Sequence, residues 1–132
     1  MSDAISILLV EDDPSSIRLF TRKIQSTPVE YSVKDVRHKS AFIQALKDQK
    51  FDCVVIDYHM PDFDGLEALQ LVRDLAPETP SIIYTGSVGE EKAVECMKAG
   101  ASEFILKKNS GRLVTAIQAV VTQRREHEAR LA

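Results

Sequence analysis

Five short apolar runs alternate with five stripes of helical periodicity, and this alternation leaves the chain few folds to adopt. Ile5–Val10 (ISILLV) and Cys53–Ile56 (CVVI) are apolar almost throughout, as strands buried on both faces are. Tyr31–Val36 alternates polar and apolar residues. Residues 81–84 (SIIY) follow Pro80, and residues 104–106 (FIL) complete the set. Between the runs, apolar residues recur at helical spacing: Ile17, Phe20 and Ile24; Phe42, Ala45 and Leu46; Leu66, Leu69 and Val72; Ala93, Val94 and Met97; Leu113, Ile117, Val120 and Val121. Pro14 suits the first turn of the first helix. Ser87-Val88-Gly89-Glu90 has capping-box spacing and predicts Ser87 as the cap of the fourth helix, with Gly100 as its stop signal. Strictly alternating strands and helices joined by short links predict an α/β fold, a parallel sheet with helices on both faces.

At 132 residues the chain suits one domain, and no internal repeat or linker divides it. Its net charge of −3 gives no reason to expect direct nucleic-acid binding. No apolar run approaches a membrane span, and residues 1–6 do not form a signal peptide. Cys53 and Cys96 lack disulfide or zinc-ligand spacing, so both are expected to be reduced core residues of a cytoplasmic protein.

In a parallel sheet of this kind, chemistry gathers at the carboxyl ends of the strands. Glu11, Asp12 and Asp13 follow the first strand, and Asp57 follows the third. If those strands are neighbours, several carboxylates crowd one pocket and raise one another's pKa, unless a cation is present. Oxygen-only donors suit Mg²⁺, or Mn²⁺ in its place. Thr85 follows the fourth strand and Lys107 the fifth. A carboxylate nucleophile, a divalent cation, a hydroxyl and an ammonium together form the set that phosphoryl transfer requires. Taken singly, Glu11–Asp13 reads as a solvated turn, Thr85 as a strand-end cap and Lys107 as a surface lysine. Their joint placement supports the site.

These stretches resemble the response-regulator receiver family of two-component signalling: Leu8-Leu9-Val10-Glu11-Asp12-Asp13-Pro14, Ile56-Asp57-Tyr58-His59-Met60-Pro61 with Asp64-Gly65, Tyr84-Thr85-Gly86, and Gly100-Ala101 followed by Phe104-Ile105-Leu106-Lys107. The resemblance spans residues 5 to about 121. It implies a doubly wound, flavodoxin-like sheet with strand order 2-1-3-4-5. It makes Asp57 the phosphoacceptor. It makes Asp12, Asp13, Asp57 and the backbone carbonyl of His59 the metal ligands. Thr85 and Lys107 would contact the phosphoryl group. Thr85 would move toward that group on phosphorylation, and Phe104 would fill the vacated space. The implied donor is a histidine kinase or phosphotransfer protein, and the implied output is a downstream domain or a separate partner. A homodimer through the fourth helix, fifth strand and fifth helix is a further expectation. Lys108 stands where the family usually has proline, Phe104 lacks a tyrosine's hydroxyl, and residues 37–41 lack the usual glycine.

The same residues fit other functions less well. A haloacid-dehalogenase-type phosphatase needs an Asp-x-Asp pair after the first strand, and Glu11-Asp12-Asp13 is a near miss. A flavin carrier needs a Ser/Thr/Gly-rich first loop, where this chain has acids. A receiver-like module that is never phosphorylated has no need of the full residue set.

The expected domain runs over residues 1–121, with residues 122–132 extending the last helix. That stretch has no glycine or proline, and it places Arg124 opposite Glu128 and Glu126 opposite Arg130 at i,i+4 spacing. The run Gly86-Ser87-Val88-Gly89-Glu90-Glu91, with Lys107-Lys108-Asn109, resembles receivers that precede sensory or kinase domains. The extension is therefore expected to lead into a further domain.

Overall fold

The computed structural model describes residues 4–131; residues 1–3 and Ala132, which belong to the expected termini, lie outside the described residues. The elements run β1 (Ile5–Val10), α1 (Pro14–Gln25), β2 (Tyr31–Val36), α2 (Lys39–Asp48), β3 (Cys53–Ile56), α3 (Gly65–Leu75), β4 (Ser81–Thr85), α4 (Glu90–Lys98), β5 (Glu103–Leu106) and α5 (Leu113–Leu131). The strands form one parallel sheet in the order β2-β1-β3-β4-β5. This is the predicted α/β architecture, with β1 and β3 side by side.

Period-2 geometry divides the core in two. Leu8, Val10, Val54, Ile56 and Ile83 face one side and pack with Phe42, Leu46, Ala68, Leu69, Val72 and Cys96 of α2, α3 and α4. Ile5, Ile7, Leu9, Cys53, Val55, Ile82 and Ile105 face the other and pack with Phe20, Ile24, Leu113, Ile117 and Val121 of α1 and α5. Both cysteines are free and buried, as expected.

Helix ends carry two of the predicted signals and correct a third. Pro14 opens α1, and Asp13 caps it by accepting from the Ser15 and Ser16 amides. Gly100, at φ +109°, ends α4: its amide donates to Met97 O and that of Ala101 to Cys96 O, a pairing that needs a left-handed residue. The expected capping box at Ser87 does not form. Gly89 is the cap, without a side-chain bond, and α4 starts at Glu90. Between β5 and α5 a 3₁₀ turn, Lys107–Arg112, appears that hydrophobic periodicity did not predict, because no residue in it is buried. Every described peptide bond is trans, that between Lys107 and Lys108 included.

Helix α5 continues without a break to Leu131. The expected Arg124–Glu128 pair is present. Lys50 also reaches Glu128 at 3.4 Å, and Arg125 reaches Asp52 at 3.2 Å. Asp52 in turn accepts from the Ser6 amide at 2.9 Å. Ion pairs thus fasten the stretch after Val121 to the loop before β3.

The β3–α3 loop folds back tightly. The Gly65 amide donates to Tyr58 O at 2.9 Å, and a Cβ on Gly65 would lie 2.7 Å from the Tyr58 ring and 3.2 Å from its Cα. Gly65→Ala is expected to lower stability by about 2 kcal/mol, because the ring is buried and the backbone must shift. Denaturant unfolding measures this, and an unchanged midpoint would contradict it.

Candidate functional site

Register brings the chemistry together. Val10 pairs with Ile56, and the Asp57 amide donates to Val10 O at 2.9 Å. The acids after β1 and Asp57 after β3 therefore leave the sheet at the same level. Thr85 ends β4 opposite Leu106 of β5, so Lys107 emerges beside it.

Asp57 is 9% exposed. Its Oδ1 accepts from the Thr85 hydroxyl at 2.7 Å and from the His59 amide at 3.2 Å. Its Oδ2 faces Lys107 Nζ at 3.2 Å. Thr85 is fully buried and already hydrogen-bonds Asp57 in this unphosphorylated state. Phe104 is half-buried against the α2–α3–α4 side of the core.

Glu11 was not singled out within its acidic run, yet it is the most buried acid of the site, at 3% exposure. Lys107 Nζ donates to Glu11 Oε1 at 2.6 Å and to Ser16 Oγ at 3.1 Å. Glu11 Oε2 accepts from the Asp12 and Asp13 amides. Burial pushes the Glu11 carboxyl above its usual range; Lys107 opposes this, and Asp57 adds to it. Burial pulls the Lys107 ammonium down, but its bonds to Glu11 and the charge of Asp57 outweigh that, and its pKa lies above the ordinary lysine value. Lys107 is thus held charged by two acids. One signal in the sequence pointed to this role: Glu11 directly continues an apolar run, and the first residue after a buried strand emerges deepest.

The expected metal ligands are partly engaged elsewhere. The Asp13 carboxylate is exposed and caps α1, also accepting from Ser16 Oγ at 2.9 Å. Those bonds hold its carboxyl below its usual range, the Ser16 hydroxyl contributing most. Asp12 is half-exposed. Among the described residues, no three His, Cys, Asp or Glu side chains already form a metal cage. Mg²⁺ asks for less, since one or two carboxylates suffice and water completes its octahedron. Asp12 and Asp57 at adjacent strand ends, with Asp13 and the His59 carbonyl nearby, are oxygen donors of the kind it takes. The donor chemistry fits. The His59 ring is directed away from that role: its Nε2 lies 3.1 Å from Ser87 O, on the β4–α4 loop. His38 and His127 are exposed and lie outside the site.

No helix among the described residues is long and apolar enough to cross a membrane.

Comparison with known proteins meets this geometry. A family model described as response regulator receiver domain matches residues 7–118. The transcriptional regulatory protein ZraR of Escherichia coli K12 is 30% identical over 105 residues, covering 80% of this chain and 23% of that protein. FixJ of Rhizobium meliloti is 40% identical over 77 residues, covering 58% of this chain and 38% of its own. The chain thus spans a quarter to two fifths of these relatives' length. Among solved structures, the receiver domain of a LuxO-type repressor from Vibrio parahaemolyticus superposes with a TM-score of 0.86 at 25% identity, covering 96% of both chains. The receiver domain of the sensor histidine kinase PA1611 from Pseudomonas aeruginosa, described with a magnesium ion in its active-site cleft, gives 0.78 at 23% identity, covering 90% of this chain and 98% of its own. The family match decides against the phosphatase and flavin-carrier readings. With Asp57 at the end of β3 where such a domain carries its acceptor, this chain belongs to the response regulator receiver domain family, the phosphorylation-dependent switches of two-component signalling.

Proposed function

We propose that Asp57 receives the phosphoryl group, and that Asp12, Asp13, Asp57 and the carbonyl of His59 hold the Mg²⁺ that assists. The observation that carries this reading is the convergence on one carboxylate of the Thr85 hydroxyl at 2.7 Å and the Lys107 ammonium at 3.2 Å. An Asp57 oxygen attacks phosphorus. The bond from phosphorus to its donor, a histidine nitrogen of a kinase or phosphotransfer protein, breaks, and the imidazole leaves with the electron pair. Bound in this pocket, Mg²⁺ neutralises charge on the phosphoryl oxygens; Mn²⁺ has the same chemistry available. Lys107 turns one of its donors to a phosphoryl oxygen, and Thr85 moves its hydroxyl bond from the carboxylate to another. Hydrolysis of the acyl phosphate in the same pocket resets the domain.

Phosphorylation then biases a two-state equilibrium. Thr85 follows the new acceptor oxygens and Phe104 repacks, which alters the surface of α4, β5 and α5. That surface serves a homodimer, a separate output partner or a downstream domain reached through residues 122–132, with residues 1–121 as the receiver. The setting is the cytoplasm, where the phosphodonor kinases act.

Metal removal tests the reading. With acetyl phosphate and Mg²⁺, intact-mass spectrometry is expected to show one added phosphoryl group per chain. In EDTA the uptake is expected to fall by about a hundredfold, in line with the loss of one major electrostatic stabiliser. Equal uptake with and without EDTA would overturn the metal assignment.

A further inference from the structure

A second gathering of polar groups lies at the end of the sheet away from Asp57, where the strands begin. Between the loop before β4 and the outer turns of α5 is a cavity of about 420 Å³, a size that suits a small molecule. One wall is the turn over residues 77–80. Pro77 and Pro80 fix its backbone, and the Thr79 amide donates to Ala76 O at 2.9 Å. The other wall is one face of α5. That helix buries Leu113, Ile117 and Val121, and further along it Arg124, His127 and Arg130 turn to the cavity at helical spacing.

The cavity is rich in donors. The Arg124 side chain is only 11% exposed, and its ion pair is with Glu128, an acid it shares with Lys50. The ion pairs that fasten this stretch among the described residues, those two and Arg125–Asp52, leave Arg130 out. Glu78 is the one acid among the described residues of the lining, and it is exposed, so the balance of charge is positive.

Thr79 supplies an independent sign of a ligand. It is 6% exposed, and its hydroxyl is shielded from water with no hydrogen-bond partner among the described residues. A buried hydroxyl left so is destabilising unless something in the cavity accepts from it. Guanidinium groups also only donate. An oxyanion is the acceptor that serves all of them, and Arg binds carboxylate and phosphate through paired bonds. Pro77, Pro80 and Val120 add an apolar surface that a bare ion would leave uncovered.

We propose that this cavity binds a small organic anion, its carboxylate or phosphate held by Arg124, Arg130 and the Thr79 hydroxyl and its body laid against Pro77, Pro80 and Val120. The occupant bridges the end of α5 to the loop before β4. The site uses none of the residues around Asp57, so it stands or falls apart from the phosphoacceptor reading.

Amide spectra in metal-free buffer at constant ionic strength would be titrated separately with benzoate, phenyl phosphate and inorganic phosphate. The first two share a ring and differ in the oxyanion, and the third lacks a body. Benzoate or phenyl phosphate is expected to give saturable shifts at residues 79, 102 and 123–130 with a Kd of about 1 mM or below, and the tighter of the two names the oxyanion. Inorganic phosphate should bind about tenfold more weakly, for want of the apolar contact. Thr79→Val and Arg130→Gln should each weaken binding about tenfold. In anion-free buffer the denaturation midpoint of Thr79→Val should not fall, since the hydroxyl it removes has no partner there. No saturable change with any of the three, which would leave water as the occupant, would overturn the site. So would shifts confined to the surroundings of Asp57, or binding that either variant leaves unchanged. Inorganic phosphate binding as tightly as the ring compounds would overturn the role of the apolar wall.

Discussion

Asp57→Asn is expected to take up no phosphoryl group from acetyl phosphate in Mg²⁺, under conditions where wild type gains one per chain by intact mass. The amide cannot act as the nucleophile, and no other acid in the pocket can replace it. Asp12 and Asp13 lie on the neighbouring strand end, and Glu11 is closed in by Lys107 and the amides of Asp12 and Asp13. The fold should survive the change. Asn retains an oxygen for the Thr85 hydroxyl and the His59 amide, and the Lys107–Glu11 pair does not involve position 57. The change loses the Asp57 charge opposite Lys107 but also relieves its repulsion of Glu11, so stability in metal-free buffer is expected to stay within about 1 kcal/mol of wild type. A variant that is phosphorylated as fully as wild type would overturn the assignment of Asp57, and peptide mapping would then locate the true acceptor.

Lys107→Met is expected to have the larger combined effect, because this ammonium serves both structure and chemistry. It holds Glu11 at 2.6 Å and Asp57 at 3.2 Å, and the two carboxylates otherwise face each other with little solvent between them. Breaking a fully buried pair costs about 3–5 kcal/mol; with the lysine side chain 26% exposed, a loss of about 2 kcal/mol in metal-free buffer is the expected outcome. For a domain of this size that is a fall in Tm of roughly 8 °C. The rate of phosphorylation by acetyl phosphate should drop about a hundredfold, the usual consequence of removing one donor aimed at developing charge. Calorimetry and timed intact-mass measurements check the two parts separately. Unchanged stability would show that Glu11 does not need the lysine, and an unchanged rate would remove Lys107 from the chemistry.

The strand–helix order was legible in the sequence because strands buried on both faces must be apolar throughout and helices must be striped. Runs of four to six apolar residues between turn signals are too short for helices, which separates the two patterns here. The same legibility extended to Pro14 and Gly100, whose backbone constraints are properties of single residues. It failed at Ser87, where capping-box spacing was present but the loop continued two residues further. Side-chain spacing does not fix where a backbone turns. It failed also at the 3₁₀ turn over Lys107–Arg112, which buries nothing and so leaves no hydrophobic signature.

The sequence by itself determined which side chains stand at the carboxyl ends of the strands, since a residue that directly follows an apolar run has no other place to go. Asp57, Thr85, Lys107 and the acids after β1 were all found in this way. Only the tertiary structure decided how they pair. Strand order and register set Lys107 against Glu11 as well as Asp57, seated Thr85 on Asp57, and turned Asp13 toward the α1 amides. Residues brought together from four strand ends have no fixed spacing along the chain, so their distances, and the charges those distances stabilise, exist only once the sheet is assembled.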